Sequence, residues 1–184
     1  MHQLTYNLRG GIHADGLKNL CDDTYKILGD NLQIVEIGSY CGASSSIIAA
    51  KFINSNINCV DPWSPYTEDC SIIDLAKQEL ELKEAEMLFD IVVSKNTNIK
   101  KNKMSSIEYC QLILNSSIDF IYIDGNHQYS SVKEDILTWL PKIKAGGIIA
   151  GHDYTWDSVK IAITEIFNKN PNKTYCDSSW MYQL

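Results

Sequence analysis

The sequence predicts an α/β fold built on a doubly wound, mostly parallel sheet, and three observations lead there. Short apolar runs alternate with segments of helical period along most of the chain. The runs are apolar almost without interruption, as strands covered on both faces are. Several of them end beside an acidic residue or a histidine.

Taken in order, "LQIVEIG" (32–38) reads as a buried strand closing on a glycine turn, and "ASSSIIAAKFI" (43–53) as the helix after it. A second strand lies in "NINCVDPW" (56–63), stopped by Pro62. From Glu68 to about Ser94 the period is helical, with Leu82, Ala85, Phe89 and Val92 on one face, although "LFDIVV" alone has the composition of a strand. "NIKKNK" (98–103) is too polar to read as a buried strand, and "SSIEYCQLIL" opens on a serine suited to cap a helix. "IDFIYID" (118–124) is a strand, "SSVKEDILTWLPKI" (130–143) an amphipathic helix and "GGIIAGHD" (146–153) a strand. "WDSVKIAITEIFNK" (156–169) is a helix with Asp157 as its expected N-cap, and the tail "NKTYCDSSWMYQL" holds two short strands.

At 184 residues, with 45% hydrophobic and 21% charged residues, the chain has the size and composition of one soluble domain. A lead-in over residues 1–30 precedes the main body, residues 31–184. No apolar run is long enough to span a bilayer, and "MHQLTYNLRGG" lacks the apolar core of a signal peptide. The net charge of −7 argues against broad nucleic-acid binding, which needs a basic face to displace counterions. Six cysteines (Cys21, Cys41, Cys59, Cys70, Cys110 and Cys176) show no metal or redox spacing, so a reducing cytoplasm is the expected location.

In such sheets ligands bind at the carboxyl ends of the strands. Glu36, Asp61, Asp124 and the pair His152–Asp153 all fall there, each on a different predicted strand, with His127 three residues past Asp124. "VEIGSYCGASS" has the spacing E-x-G-x-x-x-G, not the G-x-G-x-x-G of nicotinamide enzymes. Gly38 permits a tight turn and Gly42 a close helix start, where Ser44 and free N–H groups can hold a carboxylate. Asp61 can accept from two ribose hydroxyls. A ligand carrying both a ribose and an amino-acid carboxylate is S-adenosylmethionine.

Over residues 32–184 the chain resembles class I S-adenosylmethionine-dependent methyltransferases. "VEIGSYCGASS" is similar to the cofactor loop of catechol O-methyltransferase. "DGNHQYSSVKEDILTWLPKIKAGGIIAGHDY" is similar to methyltransferase family 24, the small-molecule and sugar enzymes related to the macrocin, mycinamicin and cephalosporin-type methyltransferases. The resemblance implies a single Rossmann-like methyltransferase domain whose sheet gains a C-terminal antiparallel strand. It implies that Glu36, Gly38, Tyr40, Gly42 and Ser44 surround the methionine part of the cofactor. Asp61 would take the ribose, and Ser105 or Ser106 would lie near the adenine. Asp124, His152 and Asp153 would be the ligands of a divalent cation, Mg²⁺ or Mn²⁺, with Asp124 also bordering the cofactor. His127 would be the general base, acting with Asp124. His152 departs from the acidic residue or Asp-Asn pair usual there, and imidazole suits Mn²⁺, Fe²⁺ or Zn²⁺ better than Mg²⁺.

These residues imply methyl transfer to a hydroxyl of a sugar or other small metabolite, in a pocket that a second copy of the chain can complete. A metal-independent methyltransferase and a non-catalytic cofactor-binding protein use the same residues. A two-metal phosphoesterase would need more histidines than the four present. His2 takes no part in this reading, and His13 is expected either in a loop or on the substrate side. Trp63 is expected either to wall the adenine or to cap the core, and Trp156 either to flank the substrate or to pack.

Overall fold

The computed structural model describes residues 12–65 and 72–184. The elements run α1 (Ile12–Leu28), β1 (Gln33–Ile37), α2 (Ala43–Lys51), β2 (Asn56–Val60), α3 (Ile72–Lys95), β3 (Ile99–Asn102) and α4 (Ser106–Gln111). They continue with β4 (Ile118–Ile123), α5 (Tyr129–Trp139), β5 (Ile143–Gly151), α6 (Asp157–Phe167), β6 (Lys173–Thr174) and β7 (Trp180–Gln183). His2, Cys70 and the expected helix start at Glu68 lie outside the described residues, and His13 falls in α1.

One seven-stranded sheet has the order β3-β2-β1-β4-β5-β7-β6. β1 to β5 pair in parallel, and β7 runs antiparallel to both β5 and β6. The strand order reverses between β1 and β4, which is the switch point where such a sheet opens a crevice.

β4 shows why the strands read as continuous apolar runs. Phe120 and Tyr122 join the core under α1, α2 and α3, while Ile121 and Ile123 join the core under α4, α5 and α6. Each face demands its own apolar set, so no polar alternation remains. α1 belongs to the same body, because its Leu17, Leu20 and Cys21 are buried in the first of these cores. Among the described residues no helix is long and apolar enough to cross a membrane.

Three local expectations change. Residues 99–102 form β3 despite their lysines, because β3 is an edge strand with Ile99 and Asn102 buried and Lys100 exposed. The helix expected over 130–143 stops at Trp139, where Leu140, Pro141 and Lys142 form one 3₁₀ turn and Ile143 enters β5. Pro141 cannot supply the N–H that a continuing helix needs. Trp156, not Asp157, takes the N-cap position of α6, and Asp157 becomes the acidic residue of its first turn.

Asp135 on α5 is buried, and burial pushes its carboxyl up to about 6, with hydrogen bonding to Ser106 opposing. A raised folded value stabilises the protein below the ordinary Asp range, and this contribution is lost as pH rises through about 6. Relative to wild type, Asp135→Asn should therefore gain roughly 3 kcal/mol between pH 4 and pH 7. Denaturant unfolding of both proteins across that range checks this; a pH-independent difference contradicts it.

Candidate functional site

The loop after β1 is shaped by what presses on it. Gly38 has φ 84°, and a Cβ there would lie 2.1 Å from the carbonyl oxygen of Asp124, so only glycine lets the β1 and β4 loops meet. Gly42, at φ 82°, is the N-cap of α2, and its Cβ would come within 2.9 Å of Val92 on α3. Between them Tyr40 adopts φ 46° and is tied down three times. Its N–H donates to Asp61 (2.9 Å), its carbonyl accepts from the Trp63 indole (2.8 Å), and its hydroxyl donates to Glu81 on α3. Under the loop the fully buried Glu36 accepts from Ser39 (2.8 Å) and from Ser45, and burial pushes its carboxyl upward. Gly42 offers α2 no side-chain cap, and Ser44 of its first turn lines the cavity.

Asp61 follows β2 and braces the loop. Besides the Tyr40 N–H it accepts from the Trp63 N–H at 2.7 Å, and burial raises its carboxyl. A carboxylate offers about four lone-pair sites, so capacity remains for a ligand. Trp63 packs on Phe89 with ring centroids 5.0 Å apart and is buried, so it caps the core.

The third wall comes from β4 and β5, neighbours whose register pairs Ile123 with Gly151. Asp124 and the His152–Asp153 pair therefore emerge side by side. Asp153 sits at φ 57°, an uncommon conformation for a residue with a side chain, and its surroundings hold it there. The Trp180 indole on β7 donates to the His152 carbonyl (3.0 Å), and the Tyr154 N–H donates to the Ser178 carbonyl (2.9 Å). The antiparallel tail thus fixes the turn that carries two site residues.

The charges in this wall are closely coupled. His127 Nε2 lies 2.6 Å from Asp153 Oδ2 and 3.5 Å from Asp124 Oδ1. His152 Nδ1 lies 3.1 Å from Asp153 Oδ1 and 3.8 Å from Asp124 Oδ1. Asp124 and then Asp153 raise His127 to about 9, against the downward push of burial. Burial pushes Asp153 up, but His127 and His152 together hold it well below the usual carboxylate range. Asp124, His152 and Asp153 each offer one ligand atom, all within 4.8 Å of one another.

These walls enclose a cavity of about 480 Å³, within the range of small-molecule sites. Of the residues singled out in the sequence, Gly38, Tyr40, Ser44, Asp61, Asp124, His127, His152 and Asp153 line it. Glu36 and Gly42 lie behind the lining and shape the loop. Ser105 and Ser106 are not brought to it. Ser105 closes a capping box with Glu108, and Ser106 accepts from the Trp139 indole at 2.8 Å. Sequence reasoning missed the wall formed by α3, from which Gln78 and Glu81 line the cavity. The available signal was two polar residues flanking the helix face that carries Leu82 and Ala85.

Comparison with known proteins gives three kinds of likeness. A family model described as a methyltransferase domain matches residues 35–154. An uncharacterised protein of Acanthamoeba polyphaga mimivirus is 31% identical over 144 residues, covering 78% of this chain and 59% of that protein. The chain therefore spans about three-fifths of that relative's length. Among solved structures, the O-methyltransferase NovP superposes with a TM-score of 0.61 at 16% identity, over 91% of this chain and 78% of that one. A putative caffeoyl-CoA O-methyltransferase from Staphylococcus aureus gives 0.59 at 14% identity, over 98% and 82%. An rRNA methylase from Streptococcus thermophilus gives 0.59 at 15% identity, over 90% and 95%. At such identities the structural likeness establishes the fold.

The charge coupling predicts that the His127 ring titrates near pH 9 in metal-free protein, well above an ordinary histidine. Asp153→Asn should bring that midpoint down. Imidazole NMR resonances assigned with His127→Gln measure it; a wild-type midpoint near 6.5 contradicts the geometry.

Proposed function

Because the chain belongs to the methyltransferase family matched by residues 35–154, we propose that it is an S-adenosylmethionine-dependent O-methyltransferase, assisted by a divalent cation. We read its acceptor as a hydroxyl of a sugar or other small metabolite. One observation carries the proposal: a single cavity joins the glycine-loop wall and Asp61 to the Asp124, His127, His152 and Asp153 wall.

The cofactor fits the first of these walls. The uncapped N-terminus of α2 and Ser44 suit a carboxylate, and the spare lone pairs of Asp61 suit ribose hydroxyls. Bound there, the cofactor supplies a methyl group already activated as a sulfonium.

The second wall suits a cation. Two carboxylates and an imidazole converge within 4.8 Å, and the carboxylates already draw the His127 ring into charge contact. When bound, a divalent ion supplies charge that orients an acceptor hydroxyl and lowers its pKa. His127 competes with any such cation for the same two carboxylates. Once their charge is met otherwise, the ring returns toward its ordinary value and can accept the hydroxyl proton. Asp124 and Asp153 then orient the ring and no longer hold it protonated, while Asp61 and the Tyr40 loop hold the donor side still.

A metal-independent enzyme remains the second reading, favoured by His127 itself, which already neutralises the acidic pair. The acceptor is read as a small molecule and not nucleic acid because the net charge is −7 and four carboxylates line the cavity: Asp61, Glu81, Asp124 and Asp153.

A methyl-transfer screen over sugars, nucleotide sugars and catechols, with Mg²⁺ or Mn²⁺ and then with EDTA, tests the proposal. We expect product with a vicinal diol and its loss on chelation. Full turnover after chelation would select the metal-independent reading, and no transfer by a cofactor-loaded protein contradicts the enzyme. His127→Ala should lower turnover about a hundredfold to ten-thousandfold with cofactor affinity retained. The wild-type rate should fall as pH drops through the histidine's pKa, and this limb should vanish in the variant. Near-wild-type turnover of folded His127→Ala removes the base role.

A further inference from the structure

The four tryptophans divide sharply. Trp63, Trp139 and Trp180 are 6%, 0% and 1% exposed, and each commits its indole N–H: to the Tyr40 carbonyl, to Ser106 and to the His152 carbonyl. Trp156 is 54% exposed, and its indole N–H has no hydrogen-bond partner among the described residues. Its ring lies 5.1 Å from the His127 ring at a 44° tilt. An exposed indole therefore stands outside the cavity lining but against His127, which lines the cavity and is assigned to take the acceptor's proton. Burial does not require it there, and one flat apolar face with a spare donor at its edge suits a polar ring compound.

The lining imposes a second condition. Asp61, Glu81, Asp124 and Asp153 face the cavity, and among the described lining residues there is neither lysine nor arginine. Lys101 and Lys103, on and just after the edge strand β3, are paired with Glu86 and Asp90. A carboxylate or phosphate carried by an acceptor away from its reacting hydroxyl would find no lysine or arginine in these walls. The positive charge of His127, or of a cation in its place, is already taken up by Asp124 and Asp153, and Asp61 and Glu81 add negative charge. An uncharged ring would meet no such penalty, and an amine would gain.

Resting on the methyltransferase reading above, we propose that the acceptor is a ring compound without anionic groups, uncharged or amine-bearing. Its ring is seated on Trp156 and its hydroxyl directed to His127. Trp156 is thus the specificity-determining contact, and the acidic lining is a filter against phosphorylated, carboxylated and nucleotide-linked analogues.

Two measurements on the full chain test this. The first uses caesium and iodide as charged quenchers, with the Trp156 emission isolated as the difference between wild type and Trp156→Phe. Caesium should quench several times more effectively than iodide in protein loaded with S-adenosylhomocysteine and Mg²⁺; equal quenching or an iodide preference overturns the charge filter. The second is calorimetric titration of that loaded protein with catechol, its 4-carboxylate and its 4-(2-aminoethyl) derivative, and with glucose, glucosamine and glucose 6-phosphate. The uncharged or amine-bearing members of at least one set should bind, with the anionic member at least tenfold weaker. Trp156→Ala should weaken the binding about three- to tenfold, the scale of one aromatic contact, and Trp156→Phe should restore most of it. Tighter binding of the anionic member, no effect of Trp156→Ala, or no binding by any uncharged or amine-bearing member overturns the proposal. Failure to take up S-adenosylhomocysteine in the loading step would instead fault the methyltransferase reading itself.

Discussion

Two carboxylates held side by side at the ends of neighbouring strands set the terms for the rest of the site. β4 and β5 are in register at Ile123 and Gly151, so Asp124 and Asp153 cannot avoid each other. Like charges so placed resist joint ionisation unless a positive charge joins them. His127, its ring raised by both carboxylates, answers that need at 2.6 Å from Asp153, and the His152 Nδ1 lies 3.1 Å from the same carboxylate on another side. Gly151 makes the closeness possible, because a Cβ there would lie 2.4 Å from the Ile123 carbonyl and strike the Trp180 ring. The fold thus spends a glycine, a positive-φ aspartate and the antiparallel tail on keeping this acidic pair together.

The opposite wall is organised by a different economy of contacts. Asp61 is engaged with the Tyr40 and Trp63 N–H groups, so the position suited to a ribose also fixes the glycine loop. α3 closes the loop from outside through Glu81 and Tyr40 while Phe89 and Val92 press on Gly42. On the proposed reading, a change at Asp61 would alter cofactor affinity and the bracing of the loop together. The glycines of the loop serve approach of protein to protein: the close neighbours of Gly38 and Gly42 are Asp124, Phe89 and Val92.

Much of this was legible because buried strands carry an unmistakable pattern and their carboxyl ends must share an edge. β1, β2, β4 and β5, and with them Asp61, Asp124, His152 and Asp153, follow from that rule. β3 was hidden because an edge strand can afford lysines that a central strand cannot. Ser105 and Ser106 resembled cofactor contacts, yet a serine before a helix is equally a cap, and the capping box that Ser105 makes depends on hydrogen-bond geometry, which sequence does not carry. The Glu81–Tyr40 bond spans 41 positions, beyond any periodicity argument. The raised value of His127 depends on Asp153 as well as its near neighbour Asp124, and only folding brings Asp153 beside it.

The account rests on one cavity serving both a nucleoside-bearing donor and an acceptor. Calorimetric titration of the full chain with S-adenosylhomocysteine tests this most directly, run on wild type and on a Ser44→Ala, Asp61→Asn double variant whose folding is verified by circular dichroism. The account predicts one-to-one binding by wild type and its loss or severe weakening in the double variant. Absence of binding by wild type, or equal binding by both proteins, contradicts it.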